Sequence, residues 1–82
     1  MNSKENFLKI LGENIRNERI KKSFTIEHLA LEADLSYSQI SRIELGKRNA
    51  TAYTLYIISE TLDVCPSTFF KSIKDKLETR NQ

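Results

Sequence analysis

The sequence has 82 residues, which is the size of one small domain and leaves little room for a second. Thirteen lysines and arginines against eleven acidic residues give a net charge of +2, so charge alone is weak support for a nucleic-acid partner. The single cysteine excludes an internal disulfide and favours a reducing compartment. Since no apolar run suits a signal sequence or a membrane span, we expect a cytoplasmic protein without a membrane partner.

Apolar residues recur at helical spacing near the start of the chain, and no alternating run typical of a strand is present. A first helix is predicted over about residues 4–22. Its apolar stripe contains Phe7, Leu11 and Ile15. Thr25 can cap the start of a second helix, which turns Leu29 and Ala30 toward the core. We expect Asp34 to make the following turn, because aspartate adopts left-handed backbone more easily than most residues.

Three further helices are predicted from their end signals. Ser36 is the expected N-cap of the third helix, and Gly46 is expected to stop it. Thr51 caps the fourth helix, and Pro66 opens a fifth over about residues 66–78. Their predicted core residues are Ile40, Ile43, Leu55, Ile58, Leu62 and Phe69. The sequence therefore predicts one all-α domain of five helices over residues 1–82, with a helix-turn-helix at about 25–45.

The ordered set of these residues resembles the Cro/lambda-repressor-like helix-turn-helix family. The residues that carry the resemblance are Leu11-Gly12, Ile15-Arg16, Arg19, Thr25, Leu29-Ala30, Leu35-Ser36, Ile40 to Glu44, Gly46-Lys47-Arg48, Leu55, Ile58, Leu62 and Val64. Within that family, the loop Gly46 to Asn49 is similar to controller proteins of restriction–modification systems. The resemblance implies a homodimeric, autoregulatory transcription regulator that binds a pseudo-palindromic operator and controls restriction–modification genes. RNA polymerase is a further implied partner.

The third helix is expected to read bases in the major groove. Glutamine can pair with adenine and arginine with guanine, while a tyrosine ring can pack on a thymine methyl group. The predicted base contacts are Tyr37, Ser38, Gln39, Ser41 and Arg42. For Gln39, rotation away from the groove is an equal alternative.

Phosphate contacts are expected at the start of the second helix, where free amides attract anions, and in the basic loop after the third helix. The predicted residues are Thr25, Arg16, Lys47, Arg48 and Asn49. The family resemblance further implies an ion pair between Arg19 and Glu44, which would hold the third helix at its angle. Two positions depart from the family pattern: Ile26 replaces a glutamine that supports a phosphate contact, and Ser23 replaces a glycine.

The last helix has more apolar surface than so small a domain needs, so we expect it to form a dimer interface together with residues of the fourth helix. The predicted interface residues are Tyr53, Tyr56, Ile57, Phe70, Ile73 and Leu77. For these residues, closure of the monomer core is the alternative, and for Phe69 it is the preferred interpretation.

Catalysis is not expected, because the sequence contains no phosphate-binding glycine loop and no catalytic or metal-binding set of residues. His28 lacks a second ligand at metal-binding spacing, and Cys65 is expected to be a partly buried packing residue. No cofactor or small-molecule ligand is predicted. An antitoxin-type module that binds a protein partner as well as DNA remains an alternative, whereas RNA-binding motifs are missing.

Overall fold

The computed structural model describes residues 3–80 and contains helices but no strand within that range. The helices are α1 (Ser3–Lys21), α2 (Ile26–Ala33), α3 (Tyr37–Glu44), α4 (Ala52–Leu62), a 3-10 helix (Pro66–Phe70) and α5 (Ile73–Arg80). The predicted all-α fold with a helix-turn-helix is therefore confirmed. No helix among the described residues is both long and apolar enough to cross a membrane.

The predicted end signals lie where the helices begin and end. The hydroxyls of Thr25, Ser36 and Thr51 accept backbone N–H bonds of 3.0, 3.0 and 3.1 Å at the starts of α2, α3 and α4. Asp34 follows α2 with φ 56°, and Gly46 follows α3 with φ 75°. Each of these residues satisfies or redirects backbone groups that a helix end leaves without partners.

The core lies where α1 packs against α3, α5 and the 3-10 helix, and where α2 packs against α3 and α4. Its buried apolar residues are Ile10, Leu11, Ile15, Leu29, Ala30, Ala33, Ile40, Ile43, Leu55, Ile58, Leu62, Phe69 and Ile73. Gly12 allows α1 to touch the end of α3, since a Cβ at this position would lie 2.4 Å from the carbonyl oxygen of Ile43. The close approach fixes α3 against α1, and a larger residue would push the two helices apart.

The predicted fifth helix, residues 66–78, is wrong as a single element. The chain forms the 3-10 helix, then turns at Ser72 with φ 61°, and only then starts α5. The side-chain amide of Asn14 donates to the carbonyl oxygens of Phe69 at 2.8 Å and Lys71 at 3.1 Å. Because Asn14 satisfies these carbonyls from α1, the first segment can end without continuing into α5.

Ile73 is also misplaced by the sequence prediction. Its side chain is only 6% exposed and belongs to the core of the monomer, so it offers almost nothing to a second subunit. The break at Ser72 is the physical reason, since the start of a new helix turns Ile73 inward. Phe69 is fully buried, in agreement with the preferred interpretation.

Candidate nucleic-acid interface

The helix α3 is anchored along one face. Ile40 and Ile43 are 0% and 2% exposed in the core, and the carboxylate of Glu44 is buried beside them. At its start, Ser36 and Gln39 form a capping box, in which each residue binds the backbone N–H of the other. The orientation of α3 is thus fixed by apolar burial in the middle and by hydrogen bonds at the first turn.

An ion pair fixes the other end of α3, as predicted. The guanidinium of Arg19 donates from Nε to Glu44 Oε2 at 2.7 Å and from Nη2 to Oε1 at 2.9 Å. Its Nη1 donates to the carbonyl oxygen of Phe24 at 2.8 Å, in the segment between α1 and α2. Hydrogen bonding to Glu44 raises the pKa of Arg19, although burial opposes the shift. One side chain therefore joins α1, the end of α3 and the approach to α2.

The opposite face of α3 carries the side chains predicted to read bases. Tyr37 is 54% exposed, and Ser38 and Arg42 are exposed as well. Ser41 is half-buried and lines a groove that α1 shares with α3. Gln39 differs from its neighbours, because it is half-buried and its Oε1 accepts the N–H of Ser36 at 2.9 Å.

The predicted phosphate contacts lie on three elements. Thr25 is exposed at the start of α2, and its hydroxyl caps that helix. Lys47, Arg48 and Asn49 are exposed in the loop after α3. The loop leaves α3 through two bonds, from Lys47 N–H to the Arg42 carbonyl at 2.8 Å and from Gly46 N–H to the Ile43 carbonyl at 3.1 Å. These paired bonds set the direction in which the basic loop starts.

Arg16 lines the groove between α1 and α3, which is also lined by Ser41, one of the candidate base contacts. Ile26 lines the same groove. Ile26 is half-buried against the core, so the position that departs from the family pattern packs instead of presenting a polar group. Sequence reasoning identified this departure but missed its packing role.

Three of the predicted dimer residues are exposed aromatic side chains. Tyr53, Tyr56 and Phe70 are 71%, 49% and 44% exposed. Ile57 and Leu77 are half-buried and pack against the core. Sequence reasoning missed Phe7, whose ring centroid lies 6.3 Å from that of Phe70, so the start of α1 adjoins Phe70. We call Tyr53, Tyr56, Phe70 and Phe7 the aromatic patch.

His28 and Cys65 have local roles in the structure. The ring of His28 stacks on Phe24 with centroids 3.9 Å apart and also contacts Glu32. Cys65 is exposed, so the prediction of a partly buried packing residue is wrong. The hydroxyl of Ser67 donates to its sulfur at 3.1 Å, and this bond lowers the pKa of the Cys65 thiol. Within residues 3–80, no group of three or more potential metal ligands is found.

The sequence profile of the helix-turn-helix family matches residues 15–70. The control protein C.BamHI of Bacillus amyloliquefaciens is 40% identical over 58 residues, which cover 70% of this chain and 72% of that protein. The restriction-modification controller protein C.AhdI from Aeromonas hydrophila superposes with a TM-score of 0.75 at 28% identity, covering 77% of this chain and 96% of that one. The controller protein C.Esp1396I, solved as a tetramer with its natural 35 base-pair operator, gives a TM-score of 0.74 at 30% identity over 88% of this chain and 95% of its own.

The match thus covers α2, α3 and α4 and part of α1, and it includes the ion pair and both caps of the helix-turn-helix. The similarity extends to restriction-modification controller proteins in both sequence and structure. The protein belongs to the helix-turn-helix family.

Proposed function

We propose that this protein is a transcription regulator that binds operator DNA as a homodimer and places α3 of each subunit in a major groove. The observation that carries the proposal is the division of α3 into two faces. Ile40 and Ile43 are buried on one face, while Tyr37 and Arg42 are exposed on the other. A helix held this firmly can present side chains to base edges at a defined angle. We therefore call α3 the recognition helix.

The exposed side chains suit direct readout. Arg42 can donate two hydrogen bonds to guanine, and the Ser38 hydroxyl can donate or accept. The Tyr37 ring can pack on a thymine methyl group or bind a phosphate. Ser41, in the groove beside Arg16, is placed for a contact at the edge of the same surface. Together these groups provide the donors and acceptors that sequence-specific binding needs.

Phosphate contacts supply affinity on either side of the recognition helix. The amides at the start of α2, beside Thr25, can bind one phosphate, and Lys47, Arg48 and Asn49 can bind another. Arg16 on α1 adds a further positive charge. Because the net charge is only +2, binding rests on where these cations lie and not on their excess.

The aromatic patch supports a twofold dimer. Tyrosine rings bury large areas while keeping a polar tip, which suits a surface that is exposed in the monomer. A twofold axis through Tyr53, Tyr56 and Phe70, flanked by Ile57 and Leu77, would pair two recognition helices for a pseudo-palindromic site.

The relatives guide the biological assignment. One relative is a control protein, and a structural neighbour is a restriction-modification controller bound to its operator. We therefore propose that this protein is a non-enzymatic regulator of restriction–modification genes, including its own, that acts in the cytoplasm where the DNA is. RNA polymerase is its proposed further partner during transcription.

A binding titration tests the proposal. Purified protein is used to select duplexes from a random library, and the selected duplex is titrated over a salt series beside a scrambled duplex. We expect a preference of about a thousandfold, with two subunits per site. Equal, steeply salt-dependent binding to both duplexes would contradict sequence-specific recognition.

Two matched variants assign the phosphate contacts. Replacing Lys47 and Arg48 with alanine should weaken binding to both duplexes and reduce the salt slope by about one for each phosphate that is no longer bound. Lys74→Ala removes an exposed charge from α5 and should leave both quantities unchanged. The selected sequence should also occur upstream of the protein's own gene, which would support autoregulation.

A further inference from the structure

The capping box at the start of the recognition helix changes the role of one predicted base contact. We propose that Gln39 positions the recognition helix and does not read a base. The inference rests on the proposed function, since it concerns how the same helix recognises DNA. It replaces the sequence-based expectation that Gln39 contacts a base.

The geometry commits the Gln39 side chain to the protein. Its Oε1 accepts the N–H of Ser36 at 2.9 Å, and its own N–H donates to the Ser36 hydroxyl at 3.0 Å. Tyr37 and Ser38 on the same turn are exposed, whereas Gln39 is half-buried because it folds back toward the cap. The box satisfies two of the N–H groups that a helix start leaves without intrahelical partners.

The starts of α2 and α4 show that this arrangement is not shared by every helix of the protein. His28 occupies the matching position of α2, but its ring contacts Glu32 on the next turn and not the cap. In α4, the Thr51 hydroxyl donates to the Thr54 hydroxyl, so the side chains bond to each other. The reciprocal box occurs in α3, which is the helix whose first turn must be rigid if it is to read bases.

Base reading would use the same atom that the cap uses. Glutamine recognises adenine by accepting a hydrogen bond at Oε1 and donating one from its amide nitrogen. A bidentate pair with adenine needs Oε1 and the amide nitrogen to face the groove together, whereas the cap turns Oε1 back toward the Ser36 N–H. Base preference is therefore carried by Tyr37, Ser38 and Arg42, while Gln39 keeps their backbone in place.

Three variants of the full chain separate positioning from reading. Gln39→Glu keeps an acceptor at the usual capping-box position. Gln39→Ala removes the acceptor. Arg42→Ala is the positive control for loss of base readout. Each variant is compared with the unchanged protein by thermal unfolding and by base preference in duplexes selected from a random library.

We expect Gln39→Ala to lower Tm by about 4 °C, and Gln39→Glu to restore most of that loss. Gln39→Ala should reduce the degree of base preference at all read positions together, Gln39→Glu should restore it, and neither variant should change which base is preferred at any one position. The added charge in Gln39→Glu should weaken binding to all duplexes alike. Arg42→Ala should relax the preference at one base pair and leave Tm unchanged.

Two results would overturn the inference. One is a change in preference at a single position for Gln39→Glu, above all toward cytosine, because a carboxylate accepts from the cytosine amino group. The other is a Tm for Gln39→Ala equal to that of the unchanged protein. If the unchanged protein selects no sequence, the proposed function fails instead, and Tm still decides whether Gln39 closes the cap.

Discussion

The helix-turn-helix segment (residues 25–46) and the C-terminal segment (residues 66–80) differ in how far along the chain the side chains lie that fix their helix ends. Each helix of the first segment starts at a hydroxyl three residues from the amide it binds. The break in the second segment depends on Asn14, which lies 55 residues from Phe69 and 57 from Lys71 in the chain. Local side chains therefore define where the helices of the first segment begin, whereas a contact from α1 defines where the helix of the second segment is broken.

The two segments also present different kinds of surface. The recognition helix presents polar side chains from a backbone fixed at both ends by Ser36 and by the Arg19–Glu44 pair. The C-terminal segment presents the ring of Phe70, 44% exposed, just before the turn at Ser72. A fixed polar surface suits base readout, whereas an exposed aromatic surface suits burial against a second subunit.

Breaking the Arg19–Glu44 ion pair, which anchors the recognition helix, should lower the free energy of unfolding the most. Glu44→Ala leaves the guanidinium of Arg19 buried without its carboxylate, so we expect the free energy of unfolding to fall by about 3–5 kcal/mol. Urea unfolding measures this loss. Lys21→Ala is the control, because the Lys21 side chain is 67% exposed in its ion pair with Glu18, and exposed pairs contribute about 0–1 kcal/mol. Equal losses in the two variants would show that the buried pair is not an anchor.

Removing the hydrogen bonds from Asn14 to the C-terminal segment should cause the next largest loss in the free energy of unfolding. Asn14→Ala leaves the carbonyls of Phe69 and Lys71 without their donor, so we expect a loss of about 1–3 kcal/mol. Hydrogen exchange should accelerate in α5 before it accelerates in α3. Asn17→Ala, at an exposed position of the same helix, should change neither quantity. Uniform acceleration across the chain would contradict separate control of the two segments.

The aromatic patch provides the third test. Tyr53→Asp places a charge at a side chain that is 71% exposed, so the monomer should stay folded while self-association weakens. We expect the dimer dissociation constant to rise at least about tenfold, or about 1.4 kcal/mol, in sedimentation experiments. Leu31→Asp is the control, since Leu31 is 81% exposed on α2 and lies outside the patch. A similar change in both variants would remove the patch from the interface.

Sequence reasoning worked where the signals were local. Thr25, Ser36 and Thr51 identified three helix starts, and Asp34 and Gly46 identified two helix ends. Each signal acts within a few residues of itself and can be recognised without knowing the rest of the fold. The Arg19–Glu44 pair was also found, but only because the family resemblance places both residues together.

Sequence reasoning failed where a structure depends on a side chain far along the chain. It also failed where one residue type suits two different roles. Pro66 and the spacing of the apolar residues after it predicted one helix over residues 66–78. The bonds from Asn14 that accompany the break have no local signature. Gln39 fits both a base contact and a capping box by composition, and only the position of its side chain distinguishes them. For Ile26, burial could not be read from a single apolar residue at a helix start.

The smallest effect is expected from relieving a left-handed backbone conformation that occurs just before the helix-turn-helix segment and within the C-terminal segment. Ser23, before the helix-turn-helix, and Ser72, before α5, each have φ 61°. Left-handed backbone costs a residue with a Cβ about 1–2 kcal/mol, and glycine recovers part of it after its larger entropy in the unfolded chain is subtracted. We expect Ser23→Gly and Ser72→Gly to raise the free energy of unfolding by about 0.5–1 kcal/mol each.

Thermal unfolding measures the change in stability for both variants. Ser23 lies beside Phe24, whose carbonyl oxygen accepts a hydrogen bond from Arg19. Because Arg19 holds this loop in place, Ser23→Gly should leave DNA affinity unchanged. Ser67→Gly is the control, because Ser67 has no left-handed backbone and loses its bond to Cys65. That control should lower stability. A gain in all three variants would mean that the increase comes from some general effect of glycine and not from relief of the left-handed conformation at Ser23 and Ser72.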